Sequence, residues 1–332
     1  MIQNVFPYQF MVNLVLQAKR MPYSTDLKDL LRRVDIEDFA RLEVSLANEL
    51  QNASLQNQES AEYFLFISKQ TLSYYLHRRD NHRLRQTIKV IRRRLATIAS
   101  IPAVSINDDA WQQYLWFYET GISRLLRQKP IEPFEEQIGD GNWAVFDKDM
   151  IRDICTVVGY IYLNETEAEQ AEKSLTWYKK AIQESEFEQS LGCYVAMAHH
   201  YLNKRLPLSI NKVKAIITML QPGKKGFSSY KVQQLFNSGI LELEAKLLLV
   251  IQNTQVGILP SLLDFERRYQ EKKLDGGLPK LVDISIEATL AQVNKNLYAT
   301  TDRADERANF ANVALRSIGA SLPQQEIAPL NQ

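Results

Sequence analysis

The sequence predicts an all-α protein in which antiparallel helical hairpins stack into an α-solenoid. From about Met150 to Ala320, apolar residues recur at helical spacing in consecutive segments of roughly 15 to 22 residues. No segment shows the alternating pattern that is typical of a β-strand. The 332 residues include only 12 glycines and 11 prolines, which is consistent with long, uninterrupted helices.

The composition indicates a folded protein with a sizeable core, because 45% of the residues are hydrophobic and 24% are charged. The net charge of +1 excludes strong global electrostatic steering. No stretch approaches the roughly 20 apolar residues that a membrane span requires, so we expect no membrane partner. The two cysteines, Cys155 and Cys193, lie in apolar helical patterns, which is typical of buried free thiols in a reducing compartment. We therefore expect a cytoplasmic protein.

Residues 1–127 form the expected N-terminal helical segment. Its first helix should begin near Pro7, because proline suits the first helical turn. The buried side chains of this helix are predicted to be Phe10, Met11, Leu14 and Val15. Further helices are predicted at about 27–34, 39–50, 59–77, 78–99 and 108–125, and a turn is predicted from Arg78 to Asn81, at the start of the fourth of these. The polar residues 51–58 should form a loop, and Asn107 or Asp108 should cap the last of these helices.

The helical pattern fails between residues 128 and 146, where prolines and glycines lie among acidic residues. We interpret this segment as a linker between two halves or as a long loop within one continuous array. Residues 147–320 then form the predicted helical array, and residues 321–332 form a flexible tail. The helices of the array are expected near residues 148–163, 167–184, 187–203, 208–220, 229–252, 258–272, 279–298 and 303–319.

Two segments of the array, Gly159 to Tyr162 and Trp177 to Ile182, resemble a tetratricopeptide repeat. That family places a glycine and a tyrosine three residues apart in its first helix, and an aromatic residue three positions before an alanine in its second. Gly159, Tyr162, Tyr178 and Ala181 match those positions. The interval between the two segments is longer than in the family, and the family's terminal proline is missing. The resemblance implies a small residue that admits a close neighbour, and a concave groove that binds peptides or proteins.

One helix is unusually basic, since the segment from Arg78 to Arg94 contains eight basic residues and the single acidic Asp80. The apolar seam of this helix consists of Leu84, Ile88, Ile91 and Leu95. If this seam is buried, the positive charges must lie on the exposed surface. The charge could be neutralised by neighbouring acidic residues such as Glu59, Glu62, Asp108 and Asp109, or could bind an acidic protein or nucleic acid. The candidate residues for an anionic partner are Arg78, Arg79, Arg83, Arg85, Lys89, Arg92, Arg93 and Arg94.

Aromatic residues of the array are candidates for a protein-binding groove, although at helical spacing they are also typical of packing between helices. These residues are Tyr160, Tyr162, Trp177, Tyr178, Tyr194 and Tyr201.

No catalytic constellation stands out in the sequence. The histidine pairs His77/His82 and His199/His200 lack the i, i+4 spacing of a helical metal pair, so we expect no metal, no cofactor and no enzymatic activity. The predicted function is that of an adaptor or regulatory subunit that binds a peptide or protein. The alternative is a nucleic-acid-associated protein that uses the basic helix 78–94.

Overall fold

The computed structural model describes residues 8–20, 25–35, 39–126, 143–165, 168–204, 207–221, 226–252 and 258–300. These residues form 13 α-helices and contain no strand, which confirms the all-α prediction. The helices are α1 (Tyr8–Arg20), α2 (Thr25–Asp35), α3 (Phe39–Asn52), α4 (Gln58–His77), α5 (Asn81–Ala99), α6 (Asp108–Leu125), α7 (Lys148–Leu163), α8 (Ala168–Gln183), α9 (Leu191–Lys204), α10 (Pro207–Leu220), α11 (Tyr230–Ile251), α12 (Leu259–Leu274) and α13 (Lys280–Thr300).

Short 3₁₀ turns at Trp143–Val145 and Phe187–Ser190 precede α7 and α9. The helix predicted at 303–319 and the tail at 321–332 lie outside the described residues. So does most of the segment predicted as a linker, because residues 127–142 are not described.

Side-chain caps explain where several helices begin. The side chains of the N-cap residues accept a hydrogen bond from a backbone amide of the first turn, which satisfies a donor that has no partner inside the helix. These caps are Asn57 for α4, Asp80 for α5, Asn107 for α6, Asp147 for α7 and Ser229 for α11. The prediction of a cap at Asn107 is therefore confirmed.

The turn predicted at the start of the basic segment is confirmed, so the basic helix is shorter than the full range 78–99. The expected helix 78–99 begins at Asn81, because Asp80 caps α5 by accepting a hydrogen bond from the amide of Arg83 over 3.0 Å. Arg78 is the C-cap of α4. Arg79 has a φ of 55°, in the left-handed region that a helix excludes. Arg78 and Arg79 therefore belong to the turn between α4 and α5.

The chain divides into two compact units, Met1–His200 and Tyr201–Gln332. The helices on either side of the predicted linker, α6 and α7, pack against each other within the first unit. Arg124 of α6 forms an ion pair with Glu165, and the hydroxyl of Tyr114 donates to Asp153 of α7 over 3.4 Å. Tyr114 precedes Arg124 along the chain, and Asp153 likewise precedes Glu165. Helices α6 and α7 therefore run in the same direction.

The same parallel arrangement relates α3 and α5, which contact each other and both contact α4. Arg83 pairs with Glu43, and Arg94 donates to the carbonyl of Gln51 over 2.7 Å. In the second unit, α11 and α13 are also parallel and in contact. Ser238 donates to the carbonyl of Gly277 there, and Ser285 donates to Glu242. In both units, therefore, two helices that are separated along the chain by one other helix lie side by side.

The hairpin of α7 and α8 contains the residues that resemble a tetratricopeptide repeat. A Cβ atom on Gly159 would lie 2.9 Å from Cε1 of Tyr178, so the glycine allows the ring to approach the α7 backbone. Tyr162, Tyr178 and Ala181 are all buried in this hairpin. The expectation that Gly159 admits a close neighbour is confirmed.

Helix α1 is enclosed by the rest of the first unit. From Tyr8 to Ala18 no side chain is exposed, and the four residues predicted to be buried are buried. The helix contacts α2, α4 and the 3₁₀ turn at 187–190. A Cβ atom on Gly192 would lie 2.9 Å from Cβ of Gln9, so α9 also touches α1. The N-terminal helix is therefore part of the core.

Candidate partner-binding groove

A groove of about 450 Å³ lies between the parallel helices α3 and α5. Its volume falls in the range that protein pockets use to hold ligands. We call it the α3–α5 groove. It is lined by Glu43, Val44, Ala47, Leu50 and Gln51 of α3, Tyr75 of α4, and Arg83, Gln86, Thr87 and Val90 of α5.

Three of the lining residues, Val44, Ala47 and Val90, form an apolar strip in the groove. Val44 is 59% exposed, and Ala47 and Val90 are half-buried, whereas Leu50 and Tyr75 are buried beneath them. The lining positions on each wall recur at three and four residues, so each wall is one face of a helix. With a rise of 1.5 Å per residue, the two turns that line each wall extend for about 12 Å.

Charged side chains lie at one end of the apolar strip. Arg83 forms an ion pair with Glu43 across the groove and approaches Asp80 at 3.7 Å. Below them, burial raises the pKa of Tyr75 to about 12, so its hydroxyl stays protonated at neutral pH. The two carboxylates at this end are thus engaged by one guanidinium.

Arg94 fastens the other end of α5 to the loop that follows α3. Its guanidinium donates to the backbone carbonyls of Gln51 and Ala53 and lies 5.1 Å from the ring centre of Phe64. Both carbonyls are at the C-terminal end of α3, where the helix dipole favours a cation. Arg94 therefore holds the two walls of the groove together.

The opposite flank of α5 is occupied by contacts with α6. Arg92 pairs with Glu119 at 3.2 Å. Arg85 donates to Asn81 over 2.7 Å and to Ser123 over 3.0 Å, and neither partner carries a charge.

The two arginines of the α4–α5 turn also have neutral partners. Arg78 lies over the ring of Tyr74, 5.6 Å from its centre, and Arg79 donates to the side chain of Asn164. In the described part of the chain, neither guanidinium forms an ion pair with a carboxylate.

Lys89 and Arg93 are exposed, and among the described residues their side chains form no ion pair or hydrogen bond. They lie one turn apart on the outer face of α5. Of the eight basic candidates, only Arg83 and Arg92 pair with carboxylates in the described part of the chain. The positive charge of this segment is therefore largely displayed.

The acidic partners differ from those that the sequence suggested. Glu59, Glu62, Asp108 and Asp109 form no ion pair with the basic segment among the described residues, where Glu43, Asp80 and Glu119 do. Glu43 and Glu119 lie on α3 and α6, and which helices flank α5 cannot be read from periodicity.

The aromatic candidates do not converge on one surface. Tyr162 and Tyr178 are buried in the α7–α8 hairpin, and Tyr201 is buried in the second unit. Tyr160, Trp177 and Tyr194 are half-buried. The ring of Tyr160 lies 4.6 Å from that of His77, and Trp177 lies 6.0 Å from Trp143. Packing between helices accounts for these contacts.

A buried charge of the first unit is Arg152 of α7, which pairs with Asp149 at 2.7 Å and with Asp153 at 3.1 Å. Burial raises the pKa of Asp149, but the nearby cations Arg152, Lys69 and Arg20 together outweigh burial, so the net pKa lies below its ordinary value. Burial also raises the pKa of Cys155 to about 12 and that of Cys193 to about 11. Both thiols are therefore protonated and poor nucleophiles at neutral pH.

No helix in the described part of the chain is long and apolar enough to cross a membrane. Within the same ranges, no cluster of three or more His, Cys, Asp or Glu side chains could hold a metal ion.

The sequence interpretation missed the apolar strip of the groove, although a signal was present. Val90 is out of phase with the buried seam of α5, which consists of Leu84, Ile88, Ile91 and Leu95. Val44 is likewise out of phase with Leu42, Leu46 and Leu50 of α3. An apolar residue outside the buried stripe of an amphipathic helix indicates a second contact surface.

No protein-family model matches this chain, and no curated protein or solved structure is significantly similar to it. The likeness to tetratricopeptide repeats therefore stays a resemblance carried by the α7–α8 hairpin.

Proposed function

We propose that this protein is a non-catalytic adaptor or regulatory subunit that binds a protein partner in the α3–α5 groove. The observation that carries the proposal is the apolar strip, in which Val44 lines the groove and is 59% exposed. Apolar centres with polar rims are the usual anatomy of protein interfaces. Part of the same proposal is that the protein acts in the cytoplasm.

The proposed architecture is an α-solenoid of tetratricopeptide type. The parallel pairs α3/α5 and α11/α13 support it, because stacked hairpins bring equivalent helices of successive repeats side by side. A groove between two such helices is a surface that repeat proteins can offer to partners.

The proposal is tested by affinity purification with quantitative mass spectrometry, using the full chain and two variants. Val44→Asp places a charge in the apolar strip, and Ile284→Asp is the matched control on α13, where Ile284 is 50% exposed. We expect a partner that is retained by the wild type and by Ile284→Asp and lost from Val44→Asp. Circular dichroism should show that both variants are folded. The proposal would be refuted if Val44→Asp retained every partner of the wild type.

A second candidate function is nucleic-acid association through the outer face of α5. Lys89 and Arg93 favour it, because their charges have no carboxylate partner in the described residues. A duplex DNA probe should then bind at low salt, with an affinity that falls steeply as salt rises and that is lost in Lys89→Glu/Arg93→Glu. Absence of binding at low salt would remove this candidate.

A further inference from the structure

We infer that the occupant of the α3–α5 groove is an acidic amphipathic helix of the partner protein. This inference rests on the function proposed above and names the chemistry of the partner. It follows from three features of the groove, namely the helical walls, the apolar strip and the sign of the charges around it.

The walls favour a helix over an extended peptide. The lining residues 43–51 and 83–90 lie inside α3 and α5, where backbone amides and carbonyls bond within their own helix. An extended strand would bring unpaired backbone groups onto the apolar strip and find no backbone partner there, which is costly. A helix satisfies its own backbone and presents only side chains.

The apolar strip matches the side chains of such a helix. Val44 and Ala47 of α3 face Val90 of α5 across the groove, and the walls extend for about 12 Å, which is two helical turns. Two turns of an amphipathic helix present apolar residues at positions i, i+3 or i+4, and i+7. The strip therefore accommodates one row of aliphatic side chains.

The charges around the strip favour an acidic partner. The outer face of α5, which carries Lys89 and Arg93, adjoins the groove-lining positions Gln86 and Val90. The carboxylates at the groove, Glu43 and Asp80, both pair with Arg83, which leaves one net negative charge at that end, and Lys89 and Arg93 outweigh it with two positive charges. Aspartate or glutamate residues beside the apolar row of the partner would thus meet Lys89 and Arg93.

The apolar strip also distinguishes this occupant from nucleic acid. Phosphate groups gain nothing from exposed valine, and the aromatic ring in the groove, Tyr75, is buried below the surface. A nucleic acid would use the cations of α5 and leave Val44 uncovered. Sensitivity to Val44 is thus the property that separates the two occupants.

The test uses fluorescence anisotropy with the full chain and a labelled synthetic peptide. The probe is a helix-forming peptide of about 15 residues, with leucines at i, i+3 and i+7 and glutamates on the remaining faces. A second peptide carries lysine in place of every glutamate, and a third has the composition of the first with its leucines dispersed around the helix.

We expect the acidic amphipathic peptide alone to bind. Val44→Asp should weaken its binding about tenfold or more, since it places a charge in the apolar strip. Lys89→Glu/Arg93→Glu should weaken it about two- to tenfold and reduce its salt dependence. Lys295→Glu and Ile284→Asp, two exposed positions on α13, are the matched controls and should bind like the wild type.

The possible failures have separate meanings. If the lysine peptide binds as tightly and also depends on Val44, the acidic assignment is wrong and the groove remains a partner site. If no peptide binds while purification still recovers a partner that depends on Val44, the helical assignment is wrong and the proposed function stands. If the acidic peptide binds independently of Val44, it does not occupy the groove. Binding of duplex DNA that depends on Lys89 and Arg93 but not on Val44, without binding of the acidic peptide, would replace the inference with the nucleic-acid candidate.

Discussion

The substitution Gly159→Ala tests the packing of the α7–α8 hairpin. The added Cβ would lie 2.9 Å from Cε1, 3.0 Å from Cδ1 and 3.1 Å from Cζ of Tyr178. Carbon atoms pack best at about 3.5 to 4.0 Å, so the two helices must separate by roughly half an ångström. The Tyr178 ring cannot swing aside easily, because it is 2% exposed.

Two opposing terms set the expected magnitude. Overpacking a buried contact costs about 1 to 3 kcal/mol. Replacing glycine by alanine inside a helix contributes about 1 kcal/mol in the opposite direction. We expect a net destabilisation of up to about 2 kcal/mol, which corresponds to a decrease in Tm of up to about 8 °C for a unit of this size.

The assay is thermal and urea unfolding followed by circular dichroism, with Gly277→Ala as the matched control. A Cβ at Gly277 would meet its nearest atoms at 3.6 and 3.7 Å, which are ordinary contacts, so this variant should lose no stability. Combining Gly159→Ala with Tyr178→Leu should relieve the crowding, with a coupling energy of about 1 kcal/mol or more. If Gly159→Ala raised the stability by the amount expected from helix propensity alone, the close approach of Tyr178 to α7 would be refuted.

Two further predictions concern buried ionisable groups of the first unit. At pH 8, Ellman's reagent should detect no thiol in the native protein and both Cys155 and Cys193 after unfolding, because burial raises their pKa values to about 12 and about 11. A rapidly reacting native thiol would contradict their burial. Arg152→Ala should cost about 3 kcal/mol or more in the free energy of unfolding at pH 7, since it leaves Asp153 without its cation. The lowered pKa of Asp149 contributes stability that is present above the ordinary value of 3.8 and is lost as the pH falls further. This acid-dependent loss of stability should be smaller in Arg152→Ala than in the wild type, as measured by urea unfolding across this pH range. The same pH dependence in both proteins would contradict the pairing of Arg152 with Asp149.

Much of the helical structure could be predicted from local pattern. The helix predicted at 148–163 is observed at Lys148–Leu163, because Asp147 caps its start and its apolar face is continuous. The helix expected at 187–203 begins instead with a 3₁₀ turn, and α9 proper starts at Leu191. Local propensity distinguishes poorly between these two kinds of helix, which share most of their hydrogen-bonding geometry.

The groove could not be predicted, because it depends on which helices become neighbours. Val44 and Val90 belong to different helices, and they line the same groove only because α3 and α5 both pack on α4. The pairing of Glu43 with Arg83 depends on the same arrangement. Periodicity indicates which face of a helix is buried, but not which helix covers it.

The enclosed helix α1 alters how the first unit is expected to open. In an open row of repeats each repeat touches only its neighbours, so the ends can fray one at a time. Helix α1 removes this independence, because it contacts both α4 and the turn at 187–190, which lie far apart along the chain. Its Gln9 also abuts Gly192 of α9. Amide protons in helices far apart along the chain should therefore exchange with solvent through one shared opening event rather than by separate local unfolding.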